Sequence, residues 1–192
     1  MCLLYGDDFV GQSLSGKNSA FNSLFSGCTG LTSAENMSLP ATTLYYGCYR
    51  DMFRDCTLLT TAPSLPATTL ADNCYWGMFQ NCTSLTTAPE LPATTLANFC
   101  YCQMFFGCTS LTTAPVLSAT TLVGSCYYGL FWGCTNLNSI TCLATDISAP
   151  NCTYSWVNQV AASGTFYKHP SMTGWGTGNN GIPSGWTVQD AS

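Results

Sequence analysis

The sequence predicts an α/β solenoid, and three observations predict it. First, segment 82–107, CTSLTTAPELPATTLANFCYCQMFFG, has near copies at 56–81 and 108–133, so that Cys56, Cys82, Cys108 and Cys134 open copies 26 residues apart. Self-similarity at such a fixed period marks a chain wound into stacked coils. Second, each copy has a Thr- and Pro-containing half followed by a half whose apolar residues recur four apart. Third, the last thirty or so residues leave the pattern, as expected of a cover over the exposed apolar end of a repeat stack.

A looser copy occupies 28–55 and is two residues longer, and a decayed fifth copy runs from Cys134 to about Val160. The expected organisation is therefore an N-terminal cap at 1–27, repeats over 28–160 and a C-terminal cap at 161–192. AFNSLFSG at 20–27 matches CYCQMFFG, so the N-terminal cap holds half a repeat. A lone repeat buries too few side chains to offset the entropy of ordering its backbone, so stacking is obligatory.

Within a coil, LTTAPEL (85–91) reads as a short strand of a parallel ladder. Pro89 lacks an amide proton and should interrupt the ladder there. The fifth copy, LNSITCL (137–143), has Thr141 instead of the proline and should form the best strand. In the second half Leu96, Cys100 and Met104 stand four apart, as do Tyr101 and Phe105, with equivalents in the neighbouring copies. This spacing predicts a short amphipathic helix, capped at its start by Thr94 or Thr95. Gly27, Asp55, Asn81, Gly107 and Gly133 precede the lead cysteines. These residue types tolerate left-handed backbone and should end each helix. In the tail, Thr165–Lys168 and Trp186–Gln189 read as strands, with Asn179-Asn180-Gly181 as a turn. The expected cap is thus small and β-rich.

The CTSL opening, the proline-bearing strand and the CY..MF segment ending at GC resemble the repeats of the BspA-like leucine-rich-repeat surface proteins of gut and oral anaerobes. The resemblance covers about residues 20–160, and GIPSGWTVQD (181–190) resembles the module that follows such repeats. It implies a right-handed leucine-rich repeat of about five coils, each with a short parallel strand and a short helix. It also implies a surface-exposed binding or adhesion module, at a cell surface or outside the cell. The partner would be a protein or glycan of a host or neighbouring cell. Related repeats occur in phage proteins, so a structural segment of a phage or cell-surface assembly, with a virion location, is the second expectation. Residues 1–12, MCLLYGDDFVGQ, lack the basic start and apolar centre of a secretory signal.

Composition narrows the partners. Only 7% of residues are charged and the net charge is −5, so the basic footprint of a nucleic-acid binder is absent. Between Leu91 and Thr145 there is no Asp, Glu, Lys or Arg. That stretch is broken throughout by Thr, Pro and Asn, so no membrane span is expected. A surface this poor in charge inclines a protein to self-association.

No catalytic constellation is visible, and the chain is not expected to be an enzyme. His169 is the sole imidazole and the nine acidic residues are scattered, without the paired carboxylates of glycoside hydrolysis. No cofactor is expected. Cys100 and Cys102 form a C-x-C pair, but a zinc site needs about four ligands at matched spacing, so no metal is expected. Ten of the thirteen cysteines fall into two repeat-locked columns, which favours packed thiols over a disulfide framework. The pairs Thr60–Thr61, Thr86–Thr87 and Thr112–Thr113 also form columns. In a strand only one residue of each adjacent pair faces outward, so no water-ordering hydroxyl array is expected.

What remains are positions at which the copies differ. Trp76 and Tyr128 share one position; Gln80, Phe106 and Trp132 share another; Ser64, Glu90 and Val116 share the one after the strand proline. Trp76, Tyr128, Phe106, Trp132 and Glu90 are the candidate ligand-binding residues, because aromatics at variable positions can anchor a partner. Packing between neighbouring coils is the competing account of the same side chains.

Overall fold

The computed structural model describes residues 16–192. The expected N-terminal cap lies partly outside the described residues, which exclude 1–15. From residue 16 onward the repeats lie one on another in register, held by parallel bridges such as Ser33 to Thr61, Thr61 to Thr87 and Thr113 to Ser139.

The expected α/β class, with its right-handed leucine-rich repeats, is overturned. Among the described residues there is no α-helix, and the regular strands are three: β1 (Ser139–Cys142), β2 (Thr165–Lys168) and β3 (Thr187–Asp190). The segments expected as helices are ribbons of consecutive tight turns. In coil three, Cys100, Met104 and Cys108 each donate their N–H to the carbonyl three residues back, at Ala97, Tyr101 and Phe105. The third residue of each of these turns, Phe99, Gln103 and Gly107, has φ of 55°, 53° and 72°. A positive φ at that position is the mark of a type II turn. Alternate turns, closed by Cys102 to Phe99 and Phe106 to Gln103, keep negative φ at their central residues.

The remaining amides explain why this ribbon is stable without a helix. Phe99, Tyr101, Gln103, Phe105 and Gly107 donate to the carbonyls of Gly124, Cys126, Tyr128, Leu130 and Trp132 in the next coil, at 2.8–3.1 Å. Even-numbered amides thus close turns and odd-numbered amides bind the next coil, so every N–H from Phe99 to Cys108 has a partner. All of these inter-coil bonds run from one coil to the coil after it. The same five-bond set joins Gly47–Asp55 to 72–80, with Gly47 donating to Asp72 and Asp55 to Gln80.

The four-residue spacing is therefore a period of 4.0. An α-helix advances about 100° per residue, so three steps of four would rotate a stripe by about 120° and carry its end out of the core. Leu96, Cys100, Met104 and Cys108 are all buried, as are Tyr101 and Phe105 beside them. Two residues point in and two point out, turn after turn. The left-handed backbone expected at Gly27, Asp55, Asn81, Gly107 and Gly133 is present, with φ from 59° to 78°. It closes the last turn of each ribbon and ends no helix. Gly77 shows why glycine recurs on this wall: its φ is 59°, and an added Cβ would run into Asp51 Oδ1 of the preceding coil.

Inside, the inward pairs form continuous files. Phe25, Phe53, Phe79, Phe105 and Phe131 stack with ring centroids 5.5–5.8 Å apart. Phe21, Tyr49, Tyr75, Tyr101 and Tyr127 form a second file, which ends on Trp156. The lead cysteines make a third. Cys56, Cys82, Cys108 and Cys134 donate S–H to the carbonyls of Phe25, Phe53, Phe79 and Phe105 at 3.0–3.1 Å. All twelve described cysteines are free, and Cys28 alone among them is exposed.

The Thr/Pro half is also less regular than expected. LTTAPEL (85–91) forms no strand; its Thr87 makes one isolated bridge, to Thr61. Both members of Thr86–Thr87 and of Thr112–Thr113 are exposed, against the one-in-two expectation. Where Thr141 replaces proline the ladder does become a strand, β1. β2 adds to it in parallel, with Ser139 opposite Thr165, and β3 follows, with Thr165 opposite Thr187. The tail thus continues the ladder of the coils although its sequence leaves the repeat. Its turn at Asn179-Asn180 closes from Gly181 to Gly178 and meets the donor edge of the last ribbon. There Ser155 N–H binds Asn180 Oδ1 at 2.6 Å and Val157 N–H binds the Asn179 carbonyl at 3.3 Å.

Candidate functional site

The outward half of the turn ribbons forms a wall, and four of the five candidates stand on it. Trp76 and Tyr128 occupy one outward column, with Arg50, Cys102 and Tyr154 at the same position of other coils. Phe106 and Trp132 occupy the next, one residue before the left-handed Gly107 and Gly133. All four are half-buried. Glu90 stands apart. It is exposed beside Pro89 on the Thr/Pro half, where it borders two shallow depressions of about 280 and 250 Å³ lined also by Pro63, Pro92 and Val116. The structure does not bring it together with the aromatics.

The rings on the wall stack along the coil axis. Tyr128 lies on Tyr154 with centroids 5.1 Å apart, and Phe106 meets Trp132 at 5.5 Å with planes tilted by 52°. Trp76 is covered on both sides: the Arg50 guanidinium sits 4.6 Å from its ring centroid, and Phe99 stacks on it at 5.6 Å. A guanidinium over an indole adds a cation–π attraction of about 0.5–1 kcal/mol at such an exposed position. Stacking along the axis leaves ring edges, more than ring faces, turned to the outside.

Phe99 is the residue that sequence reasoning missed. Its φ is 55°, a left-handed conformation that clashes with the Cβ of an L-residue, and it is still 37% exposed. The equivalent residue is Gly47, Asn73, Ser125 or Asn151 in other coils, all at positive φ. The available signal was this column of small and polar residues with one phenylalanine in it. Taken as a helix, the segment gave no reason to compare those positions. Tyr154, 44% exposed, is a further ring of the Trp76 and Tyr128 column that stands outside the candidate set.

Cys102 illustrates the geometry from below. Its column faces outward, yet it is only 2% exposed, with Trp76 and Tyr128 at the same position of the coils on either side. Burial pushes its thiol up to about 12, against a smaller downward pull from Arg50. Cys100 points into the core, so the two cysteines of the C-x-C pair face opposite sides of the ribbon. Among the described residues no group of three or more His, Cys, Asp or Glu side chains is placed to hold a metal ion. His169 is engaged locally: its Nδ1 accepts the Ser171 N–H at 3.2 Å and lies 2.8 Å from Ser171 Oγ.

Electrically the wall has two halves. Arg50, Asp51, Arg54 and Asp55 interlock at one end through ion pairs of 3.2–3.7 Å. From coil three onward the ribbon segments 97–107, 123–133 and 149–159 contain no charged residue.

Fold and wall together define a repeat protein of stacked turn-ribbon coils with an aromatic outer wall that carries no charge from coil three onward. Comparison with protein-family models, with curated proteins and with solved structures finds no match. No helix among the described residues is long and apolar enough to cross a membrane.

Proposed function

We propose that the chain is a non-enzymatic binding module, displayed at a cell surface or outside the cell, that recognises another macromolecule through its aromatic wall. One observation carries the reading. A bulky, exposed aromatic, Phe99, is held in a backbone conformation that its own side chain disfavours, and its ring stacks on Trp76 of the aromatic wall. Strain of this kind persists where surrounding structure imposes it, and it concentrates at clamps and binding sites. Neighbouring Tyr, Trp, Ser, Gly, Asn and Gln supply rigid contact area and adaptable hydrogen bonds, the mixture found in protein-binding paratopes. The ring edges turned outward suit side chains of a protein better than the flat faces of sugars, which stack on ring faces.

The test is binding of the purified chain to arrays of matrix proteins and glycans, beside a Phe99→Asn/Tyr128→Ser/Trp132→Ser variant. Binding that the triple variant loses supports the reading; equal binding by both, or by neither, overturns it. The charge-free half of the wall also suits a permanent subunit contact, as in a structural segment of a phage or cell-surface assembly. A stable oligomer of defined size at nanomolar concentration would favour that second reading.

A further inference from the structure

We propose that the Thr/Pro half of the coils carries a second binding face whose ligand is crystalline water, so that the chain binds ice. The inference goes beyond the aromatic wall and does not depend on it, because it concerns the other half of each coil.

The face is built from a four-residue unit. Ala-Thr-Thr-Leu recurs at 41–44, 67–70, 93–96 and 119–122. Ala67, Ala93 and Ala119 are buried, as are Leu44, Leu96 and Leu122, whereas both threonines of every unit are exposed. Inward neighbours on either side hold each pair outward. The result is two adjacent columns of hydroxyls, Thr42 to Thr120 and Thr43 to Thr121, each four coils long. Among the described residues none of these hydroxyls makes a hydrogen bond within the protein. Elsewhere in the stack threonines close on the protein: the hydroxyls of Thr60, Thr83, Thr109 and Thr145 donate to carbonyls of the preceding coil at 2.9–3.4 Å. The paired columns are left to water. In the fifth coil Asp146 pairs with Thr121, turns its carboxylate to the Ser148 N–H at 3.0 Å and ends the array.

Spacing and stiffness fit this array to a water lattice. Parallel bridges pair Thr43 with Thr69 and Thr69 with Thr95, and the Leu44 N–H binds the Thr69 carbonyl at 2.9 Å. Strands paired in this way lie about 4.7–4.9 Å apart. In a tetrahedral network with O–H···O bonds of about 2.75 Å, oxygens two bonds apart lie about 4.5 Å apart. Hydroxyls of neighbouring coils therefore stand close to where two lattice oxygens stand, with one water between them. The mismatch is only about 0.3 Å per coil. Each hydroxyl both donates and accepts, as a lattice water does. The branched Cβ of threonine leaves few χ1 rotamers, so the hydroxyls are held in place before water arrives. Immobilising a free water costs up to about 2 kcal/mol, whereas water in an ice front is already immobile, so the array favours ice over liquid. No charged residue lies within the four units to orient water around itself instead.

The test grows single ice crystals in solutions of the 192-residue chain, measuring the gap between melting and growth temperatures and the share of protein that partitions into the ice. The wild type is expected to shape the crystals, open a gap and enter the ice, unlike an inert protein at the same concentration. Thr69→Lys/Thr95→Lys, at the centre of one column, should lose all three effects while circular dichroism shows the fold intact. Thr69→Ala/Thr95→Ala, which removes the hydroxyls without adding bulk, carries the same expectation should the lysine pair not fold. Phe99→Asn, on the other half of the coil, should leave the ice effects unchanged. A wild type that leaves ice growth as the inert protein does, or folded threonine variants that match the wild type, overturns the inference. Neither outcome touches the binding reading of the aromatic wall, which the array experiment tests separately.

Discussion

The ring of Phe99 lies on the indole of Trp76, centroids 5.6 Å apart and planes within 12° of parallel, although Phe99 reaches that position only through a φ of 55°. Stacking of this kind adds about 0.5–1.5 kcal/mol beyond area burial, whereas left-handed backbone costs a non-glycine residue about 1–2 kcal/mol. The two effects nearly cancel. Phe99→Asn should therefore leave the free energy of unfolding within about 1 kcal/mol of the wild type. A denaturant midpoint measured on the variant checks this, and a large destabilisation would show that Phe99 is a packing residue.

The tyrosine file makes a separate prediction. Tyr101 is fully buried and its hydroxyl has no hydrogen-bond partner, a state that penalises the folded chain. Tyr101→Phe keeps the stack on Tyr75 and Tyr127 and removes the orphaned group, so it should stabilise by about 1 kcal/mol. Tyr101→Ala removes the ring and should cost about 3–5 kcal/mol. Thermal or denaturant unfolding of the pair decides the matter.

Alkaline pH should unfold the protein steeply. Burial raises the Cys126, Cys134 and Cys142 thiols from 9.0 to about 12, and the Cys48 thiol to about 11. A folded pKa above the unfolded value means that stability is fully present below about pH 9 and is lost as pH rises toward the folded values. Each thiol that ionises only on unfolding removes up to about 1.4 kcal/mol per pH unit. Circular dichroism against pH should show cooperative loss of structure above pH 9, and Cys126→Ala/Cys134→Ala should reduce its slope. In the native chain at pH 8 a thiol reagent should titrate Cys28 rapidly among the described cysteines, against all thirteen after denaturation.

At the other end, Asn180 closes the donor edge of the last ribbon through its side chain to Ser155 N–H and its carbonyl to Thr153 Oγ1, at 2.6 and 2.8 Å. Asn180→Ala should cost about 1 kcal/mol, since water can replace part of the lost bond at this exposed edge. Hydrogen exchange should accelerate at Ser155 and its neighbours and stay unchanged in coils one to three. An equal rise throughout would mean that the tail stabilises the whole stack.

The repeat length, the stacking partners and the packed cysteine columns were legible in the sequence, because translation by 26 residues brings like onto like whatever backbone lies between. β1 and β2 were legible too, since Thr141 restores the amide that Pro89 and its equivalents remove. The expected helix failed on the difference between 3.6 and 4.0 residues per turn, which amounts to about 120° over the twelve residues from Leu96 to Cys108. Of the site, Trp76, Tyr128, Phe106 and Trp132 could be picked out as variable aromatics, whereas Phe99 depended on knowing which positions are left-handed.

The sequence by itself determined that this chain stacks and which side chains form the files, because burial of a repeated apolar pattern leaves few alternatives. Only the tertiary structure decided that the ribbon is a run of turns. That choice depends on where each amide finds its carbonyl, and half of the ribbon's amides find theirs in the next coil, a partner that no local pattern of residues can specify.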